Sequence, residues 1–177
     1  FAATERMLRR VTVRKPLVVG VFQNQSPCYI NRIVAETGID VVQLHGDEPA
    51  SFCEQVEVPC LRVLHVPLTT AGDTIDVQAL KEEAKSFRGK AIALVLDSRV
   101  SGTSGGGTGS TFDWNVVKEL RGVPVILAGG LTTENVAEAV NIPGVLGVDV
   151  SSGVELKGQP GKKDGALVKG FIEAAKA

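Results

Sequence analysis

Six short apolar runs, rich in β-branched residues, recur along this chain at a spacing of roughly 20 to 30 residues, the scale of a strand-plus-helix unit. They are Val18-Val19-Gly20-Val21-Phe22, Val41-Val42-Gln43-Leu44-His45, Leu61-Arg62-Val63-Leu64, Ala91 to Leu96, Pro124-Val125-Ile126-Leu127-Ala128 and Val145-Leu146-Gly147-Val148-Asp149-Val150. Most are continuous rather than alternating, as expected of strands covered by helices on both faces. Helix signals fall between them. Pro27 to Glu36 and Asp76 to Phe87 read as helices. Asp47-Glu48-Pro49 opens another, with Pro in the first turn. Phe112 to Leu120 and Asp164 to Ala175 supply two more. Thr132-Thr133-Glu134-Asn135 opens the last, where a Thr cap and a nearby Glu can satisfy free backbone N–H groups. Strand and helix alternate throughout, which predicts a parallel sheet in one α/β domain over residues 1–177.

Such units build either an open sheet or a closed barrel. Polar residues end several strands: Gln23 and Asn24, His45, Asp97, then Asp149 with Ser151. Glycines follow the last two, at Gly129-Gly130 and Ser152-Gly153. A barrel brings all such ends to one mouth, whereas an open sheet gathers ligands only where its strand order reverses. The pattern favours the barrel.

Asp97 is the leading catalytic candidate. It ends the buried-looking run Ala91 to Leu96 and precedes a glycine-rich stretch, Gly102 to Gly109. A carboxylate held by a strand and facing a loop of little bulk can serve as an acid or base. A strand-ending Asp before an ordinary turn gives the same pattern. Ala128-Gly129-Gly130-Leu131-Thr132 and Val148-Asp149-Val150-Ser151-Ser152-Gly153 form the second candidate site. Backbone N–H groups bared by glycine approach an anion closely, and the last two loops of a barrel often hold phosphate. Either loop alone reads as a tight turn. His45 reads as a hydrogen-bonded structural residue or a substrate contact, and His65 as structural.

Several classes drop out. Basic and acidic residues number 19 and 20, so no global field favours nucleic acid. Aromatic residues are only 5%, too few for a base-stacking surface. The basic segment Arg6 to Lys15 reads as a solvated helix face. The longest apolar runs are too short to span a membrane. Cys28, Cys53 and Cys60 match neither a zinc knuckle nor a redox pair, and a reducing cytoplasmic compartment is the simplest reading. Gly102-Thr103-Ser104-Gly105-Gly106 matches a nucleophile elbow by chance, since both histidines precede Ser104. No P-loop, dinucleotide fingerprint or metal-binding string is present.

Several strings together resemble phosphoribosylanthranilate isomerase, a (β/α)₈ TIM-barrel family of tryptophan biosynthesis. They are Val19-Gly20-Val21-Phe22, Val42-Gln43-Leu44-His45-Gly46-Asp47-Glu48, Leu96-Asp97-Ser98, Gly106-Gly107-Thr108-Gly109 with Phe112-Asp113-Trp114, Leu127-Ala128-Gly129-Gly130-Leu131, and Gly147 to Glu155. The resemblance runs from about Pro16 to the C-terminus and implies an Amadori rearrangement without metal or organic cofactor. Asp97 matches the family's general acid. Gly129, Gly130, Ser151, Ser152 and Gly153 match its phosphate loops, and His45 and Asp149 match strings at the barrel mouth. The family's general base is a cysteine in a Lys-x-Cys-Gly string, and an Arg after its second strand engages the anthranilate carboxylate. Neither string occurs here. Six of eight strands are visible, so about two βα units are expected to be missing in front, with Phe1 inside a helix. A fragment of a longer polypeptide, fused to or associated with other tryptophan-pathway enzymes, fits that pattern. The alternatives are a phosphate-binding remnant without turnover, or another phosphate-binding barrel such as indole-glycerol-phosphate synthase or a sugar-phosphate epimerase.

Overall fold

The computed structural model describes residues 16–68, 75–99, 111–120 and 122–177. The basic segment through Lys15 and the glycine stretch Gly102 to Gly109 lie outside them. Six strands appear: β1 (Val19–Phe22), β2 (Val41–Leu44), β3 (Cys60–Pro67), β4 (Ala93–Arg99), β5 (Val125–Leu127) and β6 (Val145–Val148). They form one sheet in chain order, β1 to β6. Each corresponds to one of the six apolar runs. Val19 pairs in parallel with Val41, Val42 with Cys60, and Val125 with Val145. Among the described residues three α-helices intervene, α1 (Pro27–Thr37), α2 (Val77–Ser86) and α3 (Val136–Val140), and α4 (Gly165–Lys176) follows β6. None of them is long and apolar enough to cross a membrane.

The chain divides into two compact units, Phe1–Val63 with Glu82–Leu94, and Leu64–Lys81 with Val95–Ala177. In the first, the Ser26 hydroxyl accepts from Tyr29 N–H and caps α1, Pro27 starts the helix, and Gly38 ends it at φ 72°. Ile30 and Val34, one turn apart, are the buried face of α1. Val41, Val42 and Leu44 of β2 are buried, as a strand covered on both sides requires. Gly20 is a packing glycine, since a Cβ there would lie 2.7 Å from Ile39 Cδ1. In the second unit the Asp164 carboxylate accepts from Ala166 and Leu167 N–H and starts α4.

Three helix expectations need correction. After Asp47-Glu48-Pro49 comes only a 3₁₀ turn, Ala50–Glu54. The Glu48 side chain is drawn inward to other partners and does not cap it. Phe112 to Leu120 is likewise a 3₁₀ segment, Trp114–Glu119, with Asp113 capping Asn115 N–H. The β-branched pair Val116 and Val117 is buried there and favours no longer α-helix. Asn135, not a threonine, occupies the cap position of α3, which makes no side-chain cap bond.

Apolar side chains remain exposed on the two outermost strands. On and beside β1 these are Val18, Val19 and Val21, and on β6 Leu146. The three cysteines are free thiols. Cys53 and Cys60 are buried, and Cys60 Sγ donates to the Val58 carbonyl at 3.7 Å. Interaction with the neighbouring Cys60 thiol, with the Arg62 and Lys90 charges, lowers the Cys53 thiol, while the Cys53 neighbour and burial push Cys60 up. Cys60 begins β3, at the end opposite the loops that carry chemistry in a parallel α/β fold. Cys28 sits exposed on α1. Titration of the native protein with an aromatic disulfide is expected to consume Cys28 rapidly, while Cys53 and Cys60 react at least tenfold more slowly until denaturant is added. Comparable rates for all three would contradict the burial seen here.

Candidate active site

The carboxyl ends of the strands carry the candidate residues in each unit. In the first unit, the loops after β1 and β2 are tied to β3 by a buried ion pair. Glu48 accepts from Asn24 N–H at 2.6 Å and Gly46 N–H at 2.9 Å. Its Oε2 also meets Arg62 Nη1 at 2.9 Å, and both side chains are almost fully buried. Arg62 Nη1 donates to the Gly46 carbonyl at 2.7 Å, Nη2 lies 3.6 Å from Glu83, and the guanidinium stacks 5.2 Å from the Phe87 ring centre. Asn24, at φ 63°, turns its side-chain oxygen to Asp47 N–H at 2.8 Å. Gly46 is required there, because a Cβ would strike the Asn24 side chain. This network holds His45, half-buried between Leu44 and Gly46, in a fixed loop.

In the second unit, β4 delivers Asp97 and Ser98, both buried. Ala128 N–H donates to the Leu96 carbonyl at 2.8 Å, which sets the end of β5 beside them. Gly129 and Gly130 follow at φ 77° and 67°. A Cβ on Gly129 would collide with the Ser98 side chain and stand 2.6 Å from Asp97 Oδ1. The first glycine loop therefore lies directly against the candidate acid. Among the described residues the buried Ser98 hydroxyl has no hydrogen-bond partner. His65 on β3 brings a ring nitrogen within 4.8 Å of an Asp97 carboxylate oxygen. The structural reading of His65 from sequence missed that neighbour.

The loop after β6 meets the loop after β5. Asp149 N–H donates to the Leu127 carbonyl at 2.8 Å, and a Cβ on Gly153 would strike the Leu131 carbonyl. Asn135 braces the first loop, accepting from Thr132 N–H at 2.8 Å and donating to the Gly130 carbonyl at 3.0 Å. Asp149 and Ser151 are exposed, and Ser152 and Gly153 partly so, as residues that meet a solute must be. Beyond them, Lys163 Nζ reaches back to Ser151 and Glu155. The Lys163 bond holds the Glu155 carboxyl below the usual carboxylate range, helped by the Gly161 backbone.

A family model described as "N-(5'phosphoribosyl)anthranilate (PRA) isomerase" matches residues 2–174. The chain belongs to the PRA isomerase family. It is 43% identical over 171 residues to the tryptophan biosynthesis protein TRP1 of Phytophthora nicotianae, covering 96% of this chain and 32% of that protein. It is 44% identical over 158 residues to N-(5'-phosphoribosyl)anthranilate isomerase of Neisseria meningitidis serogroup B, covering 89% of this chain and 70% of that one. The chain thus spans about a third of the first relative's length and just over two thirds of the second's. A crystal structure of PRA isomerase in complex with reduced 1-(o-carboxyphenylamino)-1-deoxyribulose 5-phosphate superposes with a TM-score of 0.67 at 30% identity, covering 95% of this chain and 77% of that one. The fold is α/β of the TIM-barrel class, with six strand–helix units present here.

Gly129 has little freedom to change. Gly129→Ala must both adopt a left-handed backbone and displace Ser98 or Asp97. The backbone alone costs about 1 kcal/mol, and the clash adds about 1–3 kcal/mol more. Chemical denaturation is expected to show a loss of at least about 2 kcal/mol. A loss under about 0.5 kcal/mol would mean the loop has room to spare.

Proposed function

We propose that this protein converts N-(5-phosphoribosyl)anthranilate to 1-(2-carboxyphenylamino)-1-deoxyribulose 5-phosphate by acid–base catalysis. The observation that carries the reading is the buried Asp97 at the end of β4, pressed against the left-handed Gly129 in a member of the PRA isomerase family. Asp97 donates a proton to the furanose ring oxygen. The C1–O bond breaks, the amine nitrogen lone pair forms the C1=N bond, and a Schiff base results. A base then removes the C2 proton to give an enolamine, which becomes the ketone as C1 gains a proton and the C2 hydroxyl gives one up. These are proton transfers, each of which a positioned side chain accelerates by about 10²–10⁴-fold.

The phosphate is assigned to Gly129, Gly130, Ser151, Ser152 and Gly153. Left-handed glycines at the first loop and the close approach of Gly153 to Leu131 support that assignment. His45 and Asp149 are assigned to the substrate's polar groups at the ends of β2 and β6. Residues 1–177 are read as one barrel domain acting in the cytoplasm on a phosphorylated small molecule, with tryptophan-pathway enzymes as fusion or assembly partners. The chemistry as written calls for no cofactor.

A second reading is that the chain binds phosphate without turnover. Assay of the full-length protein on N-(5-phosphoribosyl)anthranilate separates the two. Loss of substrate fluorescence with formation of the ketone supports the isomerase. Binding of a reduced product analogue with no conversion selects the binding module.

A further inference from the structure

Lys163 lies outside every string that carries the family resemblance, yet its ammonium is fully engaged at the second phosphate loop. Nζ donates to the Ser151 carbonyl at 2.9 Å, to Ser151 Oγ at 3.2 Å and to Glu155 Oε1 at 2.8 Å. An ammonium has three N–H donors and no acceptor, so these contacts use all three. Toward Lys163, the Ser151 hydroxyl is therefore an acceptor. Its own O–H must point elsewhere, and Ser151 stands exposed at the head of Ser151-Ser152-Gly153. The backbone around Lys163 is fixed as well. Glu155 and Lys163 form an antiparallel bridge, and Asp164 N–H donates to the Val154 carbonyl at 2.8 Å.

We infer that Lys163 is a positioning residue that fixes the Ser151 hydroxyl as a hydrogen-bond donor to a phosphoryl oxygen. The inference rests on the phosphate assignment proposed above. A serine hydroxyl donates or accepts with equal ease, and an anion needs the donor. The Lys163 bond removes the ambiguity before the ligand arrives, so no reorientation is required on binding. Glu155 offsets the ammonium charge, so Lys163 acts through Ser151 rather than as the counter-ion of the phosphate itself.

The test compares Lys163→Met, Lys163→Arg, Ser151→Ala and the Lys163→Met/Ser151→Ala double variant in the full-length protein. Calorimetric affinity for inorganic phosphate is the first readout and needs no turnover. KM and kcat for the phosphorylated substrate are the second. Lys163→Met is expected to weaken phosphate about tenfold, the weight of one hydrogen bond to a charged group. KM should rise equally, with kcat within about twofold. Ser151→Ala should match it, the double variant should be no worse than either single, and Lys163→Arg should recover most of the loss. An unchanged affinity in Lys163→Met, or multiplied losses in the double variant, overturns the inference. Should Lys163→Met melt early, Lys163→Gln carries the same comparison. The two layers fail separately. If Ser151→Ala leaves phosphate affinity intact, the phosphate assignment falls. If Ser151→Ala weakens binding and Lys163→Met does not, only the role of Lys163 falls.

Discussion

Asp97→Asn in the full-length protein is expected to lower kcat by about 10²–10⁴-fold, the usual weight of one general acid. Asparagine keeps the size and polarity of the side chain and removes only its transferable proton. The geometry makes that substitution informative. Asp97 is buried on β4 and packed against Gly129, so an isosteric amide stays in place while a larger residue would not. Affinity for a phosphorylated product analogue is therefore expected to change less than about threefold, because the glycine loops are untouched. Full turnover in this variant would remove Asp97 from the chemistry. Loss of analogue binding in parallel with turnover would instead mean that Asp97 holds the site together.

Glu48→Ala should produce the largest loss of stability, about 3–5 kcal/mol by chemical denaturation, as for other buried pairs broken from one side. Three donors lose their acceptor together: Arg62 Nη1, Gly46 N–H and Asn24 N–H. The guanidinium would remain buried with the Gly46 carbonyl and the longer Glu83 contact. Against a typical total stability of about 5–15 kcal/mol, such a loss is large enough to limit the yield of folded protein. Replacing the pair jointly, as Glu48→Leu with Arg62→Met, should cost less than Glu48→Ala, since no unpaired charge is left. A single-variant loss below about 1 kcal/mol would show that water reaches Arg62.

The six strands were legible because parallel strands under helices on both faces need apolar residues at nearly every position. The helices α1, α2 and α4 were legible from length and caps. The segment after β2 was misread for a definite physical reason. A cap signal states what a side chain can do locally, and a distant partner decides what it does. Glu48 lies beside Pro49 in a fair helix-start string, but Arg62, 14 positions on, captures it. One clue was available, since a charged residue inside Leu61-Arg62-Val63-Leu64 demands a buried partner. Asp97 and the glycine loops were visible as candidates because strand ends and small residues are local features. The proximity of His65 to Asp97 and the tether from Lys163 to Ser151 were not visible. They depend on which strands and loops become neighbours, and periodicity carries no such information.

The bare side of β1 bears on how the polypeptide fares before any chemistry occurs. Val19 and Val21 point the same way along an outermost strand, and Leu146 stands exposed on the outermost strand at the other end of the order. Among the described residues each of these strands has a sheet neighbour on one side, and exposed apolar side chains at such an edge are adhesive toward another extended segment. Apolar contact between two copies through these strands is favoured as concentration rises. Yield on refolding should therefore fall with protein concentration, and Val21→Lys should protect the strand from strangers by setting a solvated charge on its apolar face.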